Sequence, residues 1–166
     1  MKKNIGVIGM AVMGKNLALN IADHGYSVVI YNRTTEVTLD VLKENPNAGL
    51  FGAKSLEELV SELESPRKII LMVKAGKPVD AILEQLIPLI DKGDIVVDAG
   101  NSFYLDTIRR EKAYRELGFN FVGMGVSGGE EGARFGPAIM PGGSLEAHAH
   151  LKPILEAISA KVDGEA

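Results

Sequence analysis

Cysteine is absent from all 166 residues of the sequence. This absence excludes disulfide bridges, a thiolate metal site and a cysteine nucleophile, and it fits the reducing cytoplasm, where we expect the protein to work. An excess of positive charge is absent too, because the net charge at pH 7 is −4. We therefore expect neither nucleic acid nor a membrane as a partner, and any site for an anion must be local.

A hydrophobic run long enough to cross a membrane is also missing. The apolar stretch after Lys2 and Lys3 superficially resembles a secretory signal, but Gly6, Gly9 and Gly14 interrupt it. Nothing downstream approaches the roughly 18 apolar residues that a bilayer requires. The stretch is better explained as a first β-strand.

The histidines do not suggest a metal site. His148 and His150 are two positions apart on a predicted helix, so they lie on different faces of it. We expect both, together with His24, to be surface residues, and we predict no bound metal.

Apolar segments of strand length alternate with longer segments of helical period. This alternation is typical of βαβ units stacked into a parallel sheet. The predicted strands are Asn4–Gly9, Ser27–Tyr31, Lys68–Val73, Ile95–Asp98 and Asn120–Gly123. The predicted helices are Val12–His24, Glu36–Glu44, Ser55–Leu63, Lys77–Ile90, Ser102–Leu117 and Leu145–Ile158. We therefore predict one α/β domain, Rossmann-like and doubly wound, with a mostly parallel sheet and helices on both faces.

In such a fold, ligands bind outside the carboxyl ends of the strands. The loops that line this edge are predicted to begin at Gly9, Asn32, Lys74, Gly100 and Met124. The unusual residues of the sequence lie in these loops.

The first of these loops has the pattern of a phosphate-binding turn. It follows a strand and opens a helix, so its backbone N–H groups and the helix dipole can meet a pyrophosphate. The middle glycine of the usual G-x-G-x-x-G pattern is replaced by alanine, and a tight turn without a ligand is the alternative. The candidate residues are Gly9, Met10, Ala11, Val12, Met13 and Gly14.

The second loop indicates which dinucleotide the turn would bind. NAD-binding domains usually carry an acid about 20 positions after the turn, to grip the ribose 2′-hydroxyl. Here that region holds Asn32, Arg33 and Thr34, which can hydrogen-bond a 2′-phosphate, Arg33 with charge assistance. The loop therefore favours NADP over NAD, unless Thr34 or Thr35 simply caps the next helix.

Two further loops are candidates for the rest of the cofactor. Val73, Lys74 and Ala75 leave the third predicted strand, where they could pack against the adenosine, although a helix N-terminal turn explains them almost as well. Asn101 could contact both a nicotinamide and a substrate hydroxyl. The alternative is that Asn101 or Ser102 caps the following helix.

The segment Gly123–Arg134 is predicted to be a loop, because it is too glycine-rich for the interior of a strand or helix. It offers unhindered N–H groups at Gly128 and Gly129 beside the Ser127 hydroxyl, which suits a polyhydroxylated acid. Glu131 in this segment belongs either to an ion-pair cluster at a helix start or to the surroundings of the nicotinamide.

Together these segments resemble the 6-phosphogluconate dehydrogenase family. The motifs that carry the resemblance, in the family's order and at about its spacing, are G-M-A-V-M-G, Y-N-R-T, V-K-A-G, D-A-G-N-S, G-V-S-G-G-E-E-G-A-R and G-P-A-I-M-P-G-G. They cover essentially the whole chain, and the family itself has alanine in the middle of the turn. Related β-hydroxyacid dehydrogenases share the S-G-G loop, but the E-E-G-A-R and M-P-G-G extensions resemble the phosphogluconate branch.

The resemblance implies an NADP-dependent oxidative decarboxylation of 6-phosphogluconate to ribulose 5-phosphate in the pentose phosphate pathway. It implies that NADP is held by Gly9 to Gly14, Asn32 to Thr34, Val73 to Ala75 and Asn101. It also implies that the substrate is held by Asn101, Ser127, Gly128 and Gly129.

The family's catalytic lysine and glutamate lie beyond the position that matches Ala166, so no catalytic residue is predicted within the chain. We expect residues 1–166 to be an NADP-binding domain without the family's all-helical C-terminal domain, and to turn over poorly or not at all alone. Full-length family members are expected to be homodimers, whereas this chain could be monomeric. Two alternatives stay open: an NADP-binding module without catalysis, and a sibling β-hydroxyacid dehydrogenase.

Overall fold

The computed structural model describes the whole chain, from Met1 to Ala166. The strands are β1 (Ile5–Ile8), β2 (Val28–Tyr31), β3 (Leu50–Gly52), β4 (Lys68–Leu71), β5 (Ile95–Asp98), β6 (Asn120–Ser127) and β7 (Ala138–Gly142). The helices are α1 (Val12–Asp23), α2 (Thr35–Glu44), α3 (Leu56–Glu62), α4 (Lys77–Leu86), α5 (Tyr104–Glu116), α6 (Gly129–Phe135) and α7 (Leu145–Ile158). The strands form one sheet in the order β3-β2-β1-β4-β5-β6-β7. All neighbouring strands are parallel except β7, which runs antiparallel to β6.

Alternate residues of the central strands face opposite sides of the sheet. Val7 packs in one buried cluster with apolar residues of α1, α2 and α7, whereas Ile8 packs in a second cluster with α3, α4 and α5. Strands buried on both faces read as continuous apolar runs, and this is why the sequence predicted them well. The predicted fold, a Rossmann-like doubly wound α/β domain with helices on both faces, is confirmed. None of its helices is of the length and apolarity needed to cross a membrane.

The segment Gly123–Arg134 is not a loop, and that prediction was wrong. Strand β6 continues to Ser127, and α6 starts two residues later. The glycines serve packing: a Cβ at Gly123 would lie 2.5 Å from Cγ2 of Thr107 on α5. Glycine inside a strand here permits a close approach of the neighbouring element and does not end the strand.

The longer β6 also changes where the last of the predicted ligand-site loops begins. Met124 is buried inside β6 and does not begin a loop. The chain leaves the sheet at Gly128, which has a φ of +126° and precedes α6. Consequently Ser127, Gly128 and Gly129 lie at the strand-to-helix junction, where α6 begins.

Two short edge strands escaped prediction. β3 has only three residues, and β7 contains Pro141, which an edge strand tolerates because one of its sides has no partner. Helix α4 was predicted to reach Ile90 but ends at Leu86, because Pro88 has no N–H to donate to the carbonyl oxygen four residues earlier and so interrupts the helical hydrogen bonds.

A buried amide joins the two halves of one helical layer. Asn20 of α1 is 1% exposed, and its Nδ2 donates to the carbonyl oxygens of Ala133 and Ile158, each at 3.1 Å. Arg134 and Asp23 form an ion pair at 2.6 Å beside it. Helices α1, α6 and α7 are therefore fixed to one another through polar contacts as well as through the apolar core.

Candidate functional site

The turn between β1 and α1 requires glycine at two positions. Gly9 has a φ of +99°, and a Cβ there would lie 2.4 Å from the carbonyl oxygen of Met72. A Cβ at Gly14 would lie 1.8 Å from the carbonyl oxygen of Gly9. The missing Cβ atoms therefore permit the turn to pack against the chain that follows β4 and the start of α1 to pack against the end of β1, as in a turn that brings helix N–H groups close to a ligand.

The alanine in the middle of this turn does not disturb it. Ala11 is the N-cap residue of α1, with a φ of −69° and a ψ of 180°, a conformation open to any residue. Its side chain cannot accept a hydrogen bond, and no side-chain cap is present. The N–H groups of the first turn of α1 are therefore left for solvent or for an anion.

Asn32, at the end of β2, holds this turn in position. Its Oδ1 accepts a hydrogen bond from the N–H of Met10 at 3.1 Å, and its Nδ2 donates to the carbonyl oxygen of Thr34 at 3.2 Å. Sequence reasoning assigned Asn32 to the ligand alone. In the structure the side chain links the first two loops of the edge, which leaves Arg33 and Thr34 exposed beside them.

The first three loops border a cleft with a volume of about 670 Å³. This volume lies within the range of ordinary small-molecule sites. The cleft is lined by Ile8, Gly9, Tyr31, Asn32, Arg33, Thr34, Leu56, Val73, Lys74, Lys77, Pro78, Ala81, Ile82 and Gln85. The structure thus brings together predicted residues of three separate loops. The predicted residues of these loops that lie outside the lining are Ala75 and, from the first turn, Met10, Ala11, Val12, Met13 and Gly14.

The charge of this cleft is opposite to that of the whole chain. Arg33, Lys74 and Lys77 line it, and no aspartate or glutamate does, although the chain carries a net charge of −4. The three cations take part in none of the ion pairs of the molecule. Such a site attracts an anion that is partly apolar, because the remaining lining is largely aliphatic.

Sequence reasoning missed the α4 side of the cleft. Lys77, Ala81 and Gln85 recur at helical spacing of four and so share one face of α4. The signal was present in the sequence, because α4 was predicted and follows the candidate loop directly.

The remaining candidates lie further along the same sheet edge. Asn101 follows β5, is exposed and has a φ of +58°, whereas Ser127, Gly128 and Gly129 are exposed at the end of β6. None of these four residues lines the cleft. The candidate site is therefore extended, with a cationic cleft at one end and polar loops at the other.

The capping alternatives can be compared with the observed helix ends. Phe103 is the N-cap residue of α5, so neither Asn101 nor Ser102 caps that helix. Thr34 does occupy the N-cap position of α2, but its side chain makes no capping hydrogen bond. The alternative explanation of these polar residues as helix caps is therefore wrong for α5 and incomplete for α2.

No group of three or more metal-ligating side chains occurs in the structure. In α6, Glu131 lies in the first turn and Arg134 in the last, where Arg134 pairs with Asp23 of α1. The ion pair of Arg134 therefore joins α6 to α1.

A buried ionic network lies behind the Asn101 loop. Arg110 of α5 and Asp98 of β5 each have 1% of the side chain exposed and approach to 3.3 Å. Arg110 also donates through Nε to Asp80 of α4 at 2.8 Å. Chiefly because of this hydrogen bond, the pKa of Asp80 lies below its usual value. The Arg110 charge is therefore neutralised within the fold, unlike the cations of the cleft.

Comparisons with known proteins agree with this geometry. Residues 4–165 match the family model described as the NAD binding domain of 6-phosphogluconate dehydrogenase. A 6-phosphogluconate dehydrogenase of Bacillus subtilis, named as NADP(+)-dependent and decarboxylating, is 58% identical over 99% of this chain. The decarboxylating enzyme of Escherichia coli is 55% identical over 99% of it. The chain spans only 35% of the length of each of these relatives.

Solved structures give the same result. Plasmodium falciparum 6-phosphogluconate dehydrogenase, described in its apo form and in complex with NADP+ and with 6-phosphogluconate, superposes with a TM-score of 0.93 at 44% identity. This match covers 98% of the present chain and 35% of that one. A 3-hydroxyisobutyrate dehydrogenase of Salmonella typhimurium has a TM-score of 0.82 at 22% identity, over 96% of this chain and 54% of that one, and so shares the fold.

Proposed function

The chain belongs to the family of NAD-binding domains of 6-phosphogluconate dehydrogenase, and we propose that it binds NADP as the cofactor domain of a decarboxylating 6-phosphogluconate dehydrogenase. The relatives support this assignment: one is named as NADP(+)-dependent, and another is described in complex with its cofactor NADP+. The reaction proposed for the complete enzyme is the oxidative decarboxylation of 6-phosphogluconate to ribulose 5-phosphate.

The observation that carries the proposal is the cationic cleft without a carboxylate. An acid at the end of β2 would repel the 2′-phosphate of NADP, whereas Arg33 can donate charge-assisted hydrogen bonds to it. Lys74, in the loop after β4, and Lys77, at the start of α4, line the same cleft. We assign the adenosine and its 2′-phosphate to this cleft.

The pyrophosphate is assigned to the turn from Gly9 to Gly14. Gly9 and Gly14 let the turn pack closely against the ends of the neighbouring strands, which places the start of α1 at the sheet edge, and the uncapped N–H groups of α1 supply the donors. Asn32 contributes indirectly, because its hydrogen bond to the N–H of Met10 fixes the first half of the turn.

The nicotinamide and the substrate are assigned to the far end of the site. Asn101 would contact both, and the Ser127 hydroxyl with the N–H groups of Gly128 and Gly129 would hold the substrate. When bound, NADP supplies the hydride acceptor. We assign no residue of this chain as the catalytic acid or base, so its own residues bind and orient.

The wider assignments follow from the same family. We propose that residues 1–166 are the cofactor domain, that an all-helical domain and homodimerisation belong to the complete enzyme, and that it works in the pentose phosphate pathway in the cytoplasm. These proposals rest on the resemblance of the motifs and on the relatives being about three times as long as this chain.

Calorimetric titration of the chain with NADP and, separately, with NAD tests the proposal. We expect NADP to bind at least about tenfold more tightly, a difference of about 1.4 kcal/mol. NAD is the matched control, because it lacks only the 2′-phosphate. Equal affinities would contradict the role of the cationic cleft, and binding of neither cofactor would contradict the assignment as a cofactor domain.

A further inference from the structure

The loop Asp98–Ser102 is organised by one buried carboxylate. Oδ1 of Asp98 accepts the N–H of Gly100 at 3.0 Å, and Oδ2 accepts the Ser102 hydroxyl at 2.5 Å. The two acceptors stand on either side of Asn101 along the chain. Asp98 therefore holds the backbone of the residue before Asn101 and the side chain of the residue after it.

Asn101 needs such support because its φ of +58° lies in the left-handed region. Apart from glycine, residues occupy this region at a cost, although asparagine tolerates it better than most. The loop is also closely packed, since a Cβ at Gly100 would lie 2.3 Å from the carbonyl oxygen of Val73. The Asn101 side chain makes none of the hydrogen bonds found within the molecule, so the conformation is imposed by its neighbours.

Arg110 binds the Asp98 carboxylate, which in turn organises the loop Asp98–Ser102. Its Nη1 donates to Oδ2 of Asp98 at 3.3 Å and to the Ser102 hydroxyl at 3.1 Å. Its Nη2 donates to the carbonyl oxygen of Gly76 at 3.1 Å, and its Nε donates to Asp80. The planar guanidinium thus ties the loop after β5 to the start of α4, a geometry that a lysine ammonium cannot reproduce.

We propose that Arg110 is a positioning residue that, through Asp98 and Ser102, keeps Asn101 in the left-handed conformation required at the nicotinamide end of the site. This inference rests on the proposed function, because the left-handed conformation of Asn101 has a role only if a nicotinamide and a substrate bind beside it. Because the Arg110 side chain is only 1% exposed, we expect it to touch neither cofactor nor substrate. Its burial and its two carboxylate partners separate it from the exposed cations that line the cleft.

The first experiment measures the loop without any ligand. Glycine adopts a positive φ at no steric cost. Ser102→Ala, which removes one support without burying a charge, should lower the midpoint of urea unfolding. In the Asn101→Gly background the same change should lower it clearly more, because the asparagine loop can relax and recover its strain, whereas the glycine loop has no strain to recover and loses the whole hydrogen bond. Ser61→Ala, which removes a hydroxyl from exposed α3, is the control. An equal loss in both backgrounds would overturn the proposal.

The second experiment separates the two ends of the site. Adenosine 2′,5′-bisphosphate carries the 2′-phosphate but no nicotinamide, whereas NADPH also reports on the nicotinamide through its fluorescence. We expect Arg110→Lys and Ser102→Ala to weaken NADPH about three- to tenfold, the effect of about one hydrogen bond. Both variants should reduce the change in nicotinamide fluorescence on binding. Only Ser102→Ala should leave the affinity for the bisphosphate unchanged, because Arg110→Lys also loosens the start of α4, where Lys77 lines the cleft.

The outcomes are distinguishable. Equal weakening of both ligands by Ser102→Ala would mean that the loop acts only on general stability, and the inference would be wrong. Failure of the unsubstituted chain to bind either ligand would contradict the proposed function instead. In that case the urea experiment still decides whether Ser102 and Asp98 hold the conformation of Asn101.

Discussion

The two edges of the sheet use similar polar residues in opposite ways. At the amino edge, Arg67 pairs with Asp91 and Asp94, each at 2.7 Å, and Asp94 is 1% exposed. At the carboxyl edge, Arg33 and Lys74 line a cleft without a carboxylate. Polar groups at the first edge satisfy one another, whereas cations at the second are left unpaired. Buried pairs occur at both edges, Arg67 with Asp94 and Arg110 with Asp98, so the cleft is distinguished by cations that no carboxylate pairs rather than by charge itself.

The amino edge offers the largest expected effect. Asp94→Ala removes the acceptor of the backbone N–H groups of Arg67 and Asp91 and of the Arg67 guanidinium. We expect a loss of about 3 kcal/mol in the free energy of unfolding, since a buried ionic partner is removed. Urea unfolding checks this value, and the folded protein should keep its affinity for NADP.

Asp91→Ala is the matched control for that edge. Asp91 contacts the same guanidinium, but 78% of its side chain is exposed. Its removal should therefore cost less than about 1 kcal/mol. Equal costs for Asp91→Ala and Asp94→Ala would contradict the view that the amino edge is stabilised by buried pairing.

The carboxyl edge should respond in the reverse way. Arg33→Ala should weaken NADP by about 1.5–3 kcal/mol, the range for charge-assisted hydrogen bonds, and leave both NAD binding and stability almost unchanged. Calorimetry and urea unfolding give the two readouts. Arg115→Ala, at an exposed arginine of α5, should change neither cofactor. Equal losses of affinity for NADP and NAD would contradict the assignment of Arg33 to the 2′-phosphate.

A substitution in the turn between β1 and α1 tests whether the carboxyl edge also depends on its backbone geometry to bind a ligand. Gly14→Ala places a Cβ 1.8 Å from the carbonyl oxygen of Gly9, so the turn must shift, at a cost in stability of about 1–3 kcal/mol. We expect NADP and NAD to be weakened together, because both carry the pyrophosphate. In the control Gly142→Ala the new Cβ meets its nearest atom at 3.6 Å, and binding should persist. Selective loss of NADP in Gly14→Ala would speak against the pyrophosphate assignment.

The smallest expected effect is a change in how the stability of the chain depends on pH in the acidic range. The pKa of Asp80 is lowered in the folded chain, mainly by its hydrogen bond with Arg110. A lowered folded pKa gives stability that is present above the ordinary value and lost as the pH falls through the folded value. Between neutral pH and about pH 3, the parent should therefore lose slightly more stability than Asp80→Asn. Asp40→Asn, at an exposed position of α2, should match the parent, and urea midpoints at each pH provide the comparison.

The sequence predicted the elements that lie at the centre of the sheet and the loops that follow them. Continuous apolar runs identify β1, β4 and β5, and the glycine spacing identifies the first turn. It could not identify β7, because Pro141 argues against a strand unless the strand is known to lie at an edge. Composition also misled at Gly123, where glycine permits packing against α5 rather than ending a strand.

The roles of individual polar residues were harder to predict. An arginine within a predicted polar helix indicates a surface residue, yet Arg110 is buried, because its partners Asp80 and Asp98 come from two other elements. Asn32 was predicted to contact ligand, and the hydrogen bond of its side chain to Met10 depends on β1 and β2 being neighbours. Such contacts between distant segments are determined by topology, which local sequence patterns report only indirectly.

Asn20 has a consequence for how this domain can tolerate change. Its amide binds the backbone carbonyl oxygens of Ala133 and Ile158, and nearly any residue at those two positions would offer the same acceptor. Ala133 and Ile158 are themselves buried, so it is the exposed side chains of α6 that can be exchanged while the spacing between the turn at the start of α1 and the loop at Ser127 is preserved. A domain built in this way can acquire a new substrate by local substitution without having to reposition its cofactor.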